Sequence, residues 1–163
     1  LGKAYREDEA RAKELAEEYK DEDLFYVLAS GSLYGLGYKY GLTVFMENMR
    51  VHGSFIETSE FRHGPVEMLE KKRPAMVFLM GTDESRSMSH RVLDVATSAR
   101  AKTIVYDFAD YGGLDPLVAP FVLHVPLQWF AVYSALLRGV TDLDERVMMG
   151  KGKLATGQGV TWP

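Results

Sequence analysis

Three short apolar runs, LFYVLAS at 24–30, AMVFLMG at 75–81 and KTIVYDF at 102–108, limit the folds open to this chain more than any other feature. A run that stays apolar on consecutive residues, without alternation, suits a strand covered on both faces. Such strands belong to parallel sheets clothed by helices. Between the runs the spacing turns helical: 3–20 and 33–51 read as helices, 64–72 as one or two turns opening on Pro65, and 82–101 as a loop then a helix. SFIET (54–58) alternates as a strand should, and FVLHV (121–125) reads as a further apolar strand leading into a helix from Pro126 to about 140. Strands and helices in this alternation predict an α/β fold, a three-layer sandwich with a mostly parallel sheet of the flavodoxin or Rossmann type. The expected organisation is a helix over 1–21, one α/β domain over 22–140 and a Gly-rich tail over 141–163.

Composition narrows the functions. A chain of 163 residues with 47% hydrophobic and 26% charged residues is long enough for one well-filled core. Its net charge of −4 argues against a nucleic-acid surface, which needs a clustered basic face. A small anionic ligand stays open, because backbone amides suffice to cradle one. Cysteine is absent, so thiol nucleophiles and disulfides are excluded, as fits a reducing, cytoplasmic setting. No apolar run reaches the roughly 18 residues of a membrane helix, so no membrane partner is expected. The N-terminus is charged from Lys3 onward, unlike a signal peptide, and the start at Leu1 reads as a processed or truncated product. The helices at 33–51 and 126–140 are too apolar for the surface of one small domain, which predicts a homodimer or higher oligomer.

Chemistry concentrates in ENMRVHGSFIETSEFRHGP, residues 47–65. Glu47 is a lone carboxylate late in an apolar helix. It either pairs with Arg50 on an exposed face or serves as a general base with a partly desolvated carboxyl. His63 sits on a His-Gly-Pro turn sixteen positions later, too far for one helix face, so only a chain that doubles back or a second subunit brings the two together. The junction Ser30-Gly31-Ser32, at the end of a strand, offers two hydroxyls and free amides to an anion or a sugar, or is a tight turn with Ser32 as N-cap. His52 and His124 read as structural and His90 as exposed. The loop GTDESRS (81–87) is well placed for phosphate, but Asp83 and Glu84 would repel one. Arg146, Lys151 and Lys153 in the tail are either solvated or part of a flap that closes on an anionic substrate. No HExxH or close His/Asp cluster suggests a metal.

The stretches VLASGSLYGLGYKYGLTVFMEN, ETSEFRHGPVEML and, more loosely, LDERVMMGKG resemble a sugar isomerase (SIS) domain, and most nearly the C-terminal one of the fructosamine-6-phosphate deglycases. The resemblance frames most of residues 22–151, and the Glu47-to-His63 separation matches the family's catalytic pair. It implies that an Amadori compound phosphorylated on C6 is converted with water to glucose 6-phosphate and an amine. Glu47 would move the proton between C1 and C2. His63 would assist at the sugar oxygens, across a subunit boundary if need be. Ser30, Gly31, Ser32, Glu60 and Lys151 would contact the sugar 6-phosphate, and no cofactor is implied. The isomerase half of the glutamine–fructose-6-phosphate aminotransferases, or a sugar-phosphate-binding regulatory domain, are the alternatives it leaves open. The chain departs from the pattern at Ser59, where the family commonly has glycine, in the acidic GTDESRS loop, and in having the length of one SIS domain where members carry two.

Overall fold

The computed structural model describes residues 2–142 together with 144, 146 and 147. Four parallel strands, β1 (Leu24–Ala29), β2 (His52–Glu57), β3 (Ala75–Met80) and β4 (Thr103–Asp107), form one sheet in the order β2-β1-β3-β4. The apolar runs become strands because each offers side chains to both faces. Phe25, Val27 and Ala29 of β1 enter one core, and Leu28 enters the other. All six residues of β3 are buried, as expected of a central strand.

The first core lies under α1 (Gly2–Glu18), the helical stretch after β1, and α5 (Ala119–Leu137); α1 contributes Ala12 and Ala16 to it. The second lies under α3 (Met68–Lys71) and α4 (Arg86–Ser98), where Leu69, Val92 and Ala96 meet Met76, Phe78 and Met80. The connection leaving β1 and the one leaving β3 run to opposite faces of the sheet. A crevice therefore opens between them, beyond the carboxyl ends of these two strands.

The helix after β1 changes its winding. A 3₁₀ turn (Gly31–Leu33) leads into α2 (Tyr34–Tyr38) and then into a π-helical segment, Lys39–Met49. Bonds from i to i+5 widen the turn beyond 3.6 residues, so positions four apart keep to one ridge. Gly37, Gly41, Phe45 and Met49 face the sheet, while Tyr34, Tyr38, Leu42 and Met46 are exposed. The glycines let the helix seat on β2: a Cβ at Gly41 would stand 2.8 Å from the Phe55 backbone nitrogen.

The expected strand at 121–125 is not there. These residues lie inside α5, which begins at Ala119 and runs through Pro126. A short apolar run does not by itself distinguish a buried strand from a buried helix, and the proline invited a break at that point. Pro126 lacks the N–H that would bond to the Val122 carbonyl, at a cost of about 3 kcal/mol. Leu123, Leu127 and Phe130 are fully buried, and each contributes about 1.5–3 kcal/mol. Burial wins. With the turn before it, Pro116–Leu137 is also long and apolar enough for a membrane span, contrary to the sequence reading. Here it packs across the sheet against α1 as a core helix.

Candidate functional site

A cleft of about 370 Å³ lies between the π-helical segment and α5. The four-residue ridge of the segment turns Lys39 and Tyr40, Thr43 and Val44, and Glu47 and Asn48 toward it; α5 contributes His124, Gln128, Ala131 and Val132. Arg146, beyond α5, reaches back across the opening. Its Nη1 donates to Glu47 Oε2 at 2.9 Å and its Nη2 to Asn48 Oδ1 at 3.1 Å. Thus a cation from the tail pairs with Glu47. The Arg146 and Glu47 side chains are 27% and 38% exposed, and an ion pair this open contributes about 0–1 kcal/mol.

His124 was assigned no chemical role in the sequence reading. Placing it on α5 rather than on a strand brings its ring into Glu47's cleft. The Tyr40 hydroxyl lies 3.0 Å from His124 Nδ1 and 3.3 Å from the His124 carbonyl oxygen. Burial first, and the Lys39 ammonium second, push the imidazole below its ordinary pKa. A neutral ring faces the cleft at pH 7.

His63 is elsewhere. It ends the 3₁₀ turn Thr58–His63 after β2, is exposed, and accepts at Nε2 from Arg62 Nε at 3.1 Å. It does not line the Glu47 cleft, so one chain does not bring the two residues to a common cavity. Glu60 is exposed on the same turn. Lys151 and Lys153 lie outside the described residues.

The Ser30-Gly31-Ser32 donors are engaged within the chain. Ser30 Oγ donates to Glu57 and accepts from Thr58 N at 3.2 Å. Ser32 does not act as an N-cap; its backbone N–H and hydroxyl both donate to Asp83 Oδ2, at 2.9 and 2.7 Å. The other oxygen of Asp83 accepts from Ser85 N at 3.0 Å and from the Ser85 hydroxyl. Gly31 adopts φ +57°, and a Cβ there would stand 2.6 Å from the Asp83 carboxylate. Although burial opposes it, these four donors together hold the Asp83 pKa down to about 2. The anion in the crevice between β1 and β3 is therefore the chain's own. The crevice outside it is larger, about 720 Å³, but open and walled by Pro116 and Leu117 as well as by acidic Asp83 and Glu84. The Glu47 cleft, where a carboxylate, an imidazole, an ammonium and a guanidinium converge, is the better candidate for chemistry. Among the described residues no group of three or more His, Cys, Asp or Glu side chains is arranged to hold a metal ion.

The order of strands and the helices on both faces define a doubly wound α/β domain with the SIS, or Rossmann-like, fold. A solved structure from Bacillus subtilis assigned as a phosphosugar isomerase superposes with a TM-score of 0.77 at 30% identity, over 86% of this chain and 45% of that one. The chain is 37% identical to the fructoselysine 6-phosphate deglycase of Escherichia coli (strain K12) over 92% of its length and 44% of the relative's. The fructosamine deglycase FrlB of Bacillus subtilis (strain 168) is 33% identical over 79% of this chain and 41% of that protein. The chain spans under half the length of the curated relatives it matches. No family model matches it.

Proposed function

We propose that the chain is the phosphosugar-processing domain of a fructosamine-6-phosphate deglycase, acting in the cytoplasm as a homodimer or higher oligomer. The observation that carries this reading is the cleft that Glu47 and His124 both line, with the cation Arg146 paired to Glu47. Glu47 takes the proton from C1 of the open-chain ketosamine and delivers it to C2. The enaminol thereby becomes a protonated imine, which water then cleaves to glucose 6-phosphate and the amine. General acid–base catalysis of this kind contributes about 10²–10⁴-fold per group. Arg146 leaves Glu47 for the anionic substrate as it enters. His63, on its exposed turn, serves the cleft of a neighbouring subunit, and the stripe Tyr34, Tyr38, Leu42 and Met46 gives two copies an apolar face to share. Lys151 and Glu60 are retained as sugar contacts on the strength of the family resemblance alone.

The test is turnover of a 6-phosphofructosamine by the protein and by Glu47→Gln. The variant should lose turnover while still binding glucose 6-phosphate in calorimetry. Undiminished turnover would remove Glu47 from the mechanism. A second reading, a domain that binds sugar phosphate without turnover, is favoured by one observation: Asp83 and Glu57 occupy the donors of Ser30 and Ser32. It predicts the same calorimetric binding in both proteins and turnover in neither.

A further inference from the structure

We propose that His124, held by Tyr40, is the imidazole that one chain supplies to the Glu47 cleft, and that it handles the water that releases the amine. The proposal rests on the deglycase reading above. The deglycase reading sets two separate proton-handling tasks, the C1-to-C2 transfer given to Glu47 and the hydrolysis of the imine, and two groups in one cleft can divide them. Among the described residues of one chain, Glu47 is the carboxylate and His124 the imidazole that line the cleft, and any His63 there comes from a neighbouring subunit.

Tyr40 prepares the ring. Its hydroxyl is within reach of both Nδ1, at 3.0 Å, and the His124 carbonyl oxygen, at 3.3 Å. A carbonyl only accepts, so both contacts are hydrogen bonds in one arrangement alone: the hydroxyl donates to the carbonyl and Nδ1–H donates to the phenol oxygen. The ring's single proton is then on Nδ1, and Nε2 is bare. The same arrangement persists when Nε2 takes up a proton, because Nδ1–H remains a donor in both states. Tyr40 is fully buried and burial raises its pKa, so the hydroxyl keeps the proton it donates. Among the described residues, Lys39, Glu47 and Arg146 are the charged groups lining the cleft. The side chains that α5 adds around the ring, Gln128, Ala131 and Val132, are uncharged.

The step balances. Nε2 takes a proton from water as its oxygen bonds to C1 of the protonated imine. It returns that proton to the nitrogen as the C1–N bond breaks; Nε2, bare again, then takes the proton of the C1 hydroxyl as the carbonyl forms and passes it to the departing amine. Protonated imine and water become aldehyde and ammonium, with no net change at the ring.

Two partial reactions separate the roles: exchange of the C1 hydrogen with deuterated solvent, and release of the amine. His124→Gln should keep the exchange and lose about 10²–10⁴-fold in amine release, together with the acid limb of its pH profile. Tyr40→Phe should keep the imidazole and shift that limb, and Glu47→Gln should lose both reactions. Thermal melting of each variant identifies loss of fold, and ring-nitrogen NMR of the wild type reads the tautomer independently of activity. Amine release by His124→Gln within about threefold of wild type, or an Nε2 found protonated at pH 7, overturns the proposal. A wild type that neither exchanges nor releases overturns the deglycase reading instead, and a bare Nε2 in that case still upholds the Tyr40–His124 arrangement.

Discussion

Asp83 illustrates how one residue decides what a cradle holds. Four donors from Ser32 and Ser85 converge on its carboxylate and keep its pKa near 2. Because the folded-state pKa is depressed, the stabilisation is present above the unfolded value near 4 and is lost as pH falls through about 2. Asp83→Asn should cost about 1–3 kcal/mol at pH 7, as expected when a charged acceptor with several donors is weakened. The gap in melting temperature between wild type and variant should close as pH approaches 2, and a gap independent of pH would contradict this origin. Sequence alone disclosed that the loop was acidic but not where its carboxylate went. The partners, Ser32 and Asp83, are separated by 51 positions, and only the fold brings them together.

At the scale of elements, the three apolar runs were legible because a strand buried on both sides leaves a short continuous apolar pattern, one that FVLHV in α5 also mimics. The winding of the helix after β1 was not, because packing selects i to i+5 bonding there. Gly41 lies on the sheet-facing side of that helix with its backbone oxygen against Gly53, where a Cβ would stand 2.4 Å from it. Gly41→Ala should push the segment off β2, cost about 1–3 kcal/mol in denaturant unfolding, and lower turnover by moving Glu47. A variant that unfolds at the wild-type midpoint with full activity would contradict the seating. The misreading of FVLHV as a strand had a functional consequence too. It hid His124, which faces the cleft only because α5 continues through Pro126. Glu47 stands out in the sequence as a carboxylate in apolar company, but its partner Arg146, 99 positions away, leaves no local signal.

For the whole molecule, the separation of Glu47 from His63 within one chain leaves the subunit boundary as the place where they could meet. The apolar stripe Tyr34, Tyr38, Leu42 and Met46 predicts self-association, so sedimentation should give a dimer or larger species, and Leu42→Glu should shift it toward monomer. If His63 works across that boundary, mixing inactive Glu47→Gln and His63→Gln proteins should restore part of the activity; no restoration would confine the chemistry to one chain. The central claim is that sugar chemistry takes place between the π-helical segment and α5 rather than in the crevice beside Asp83. A crystal structure with an open-chain hexitol 6-phosphate tests it directly. The account predicts C1 and C2 within about 3.5 Å of the Glu47 carboxylate, with Arg146 turned away from it. A sugar lodged against Ser32 and Asp83, with the Glu47–Arg146 pair intact, would contradict it.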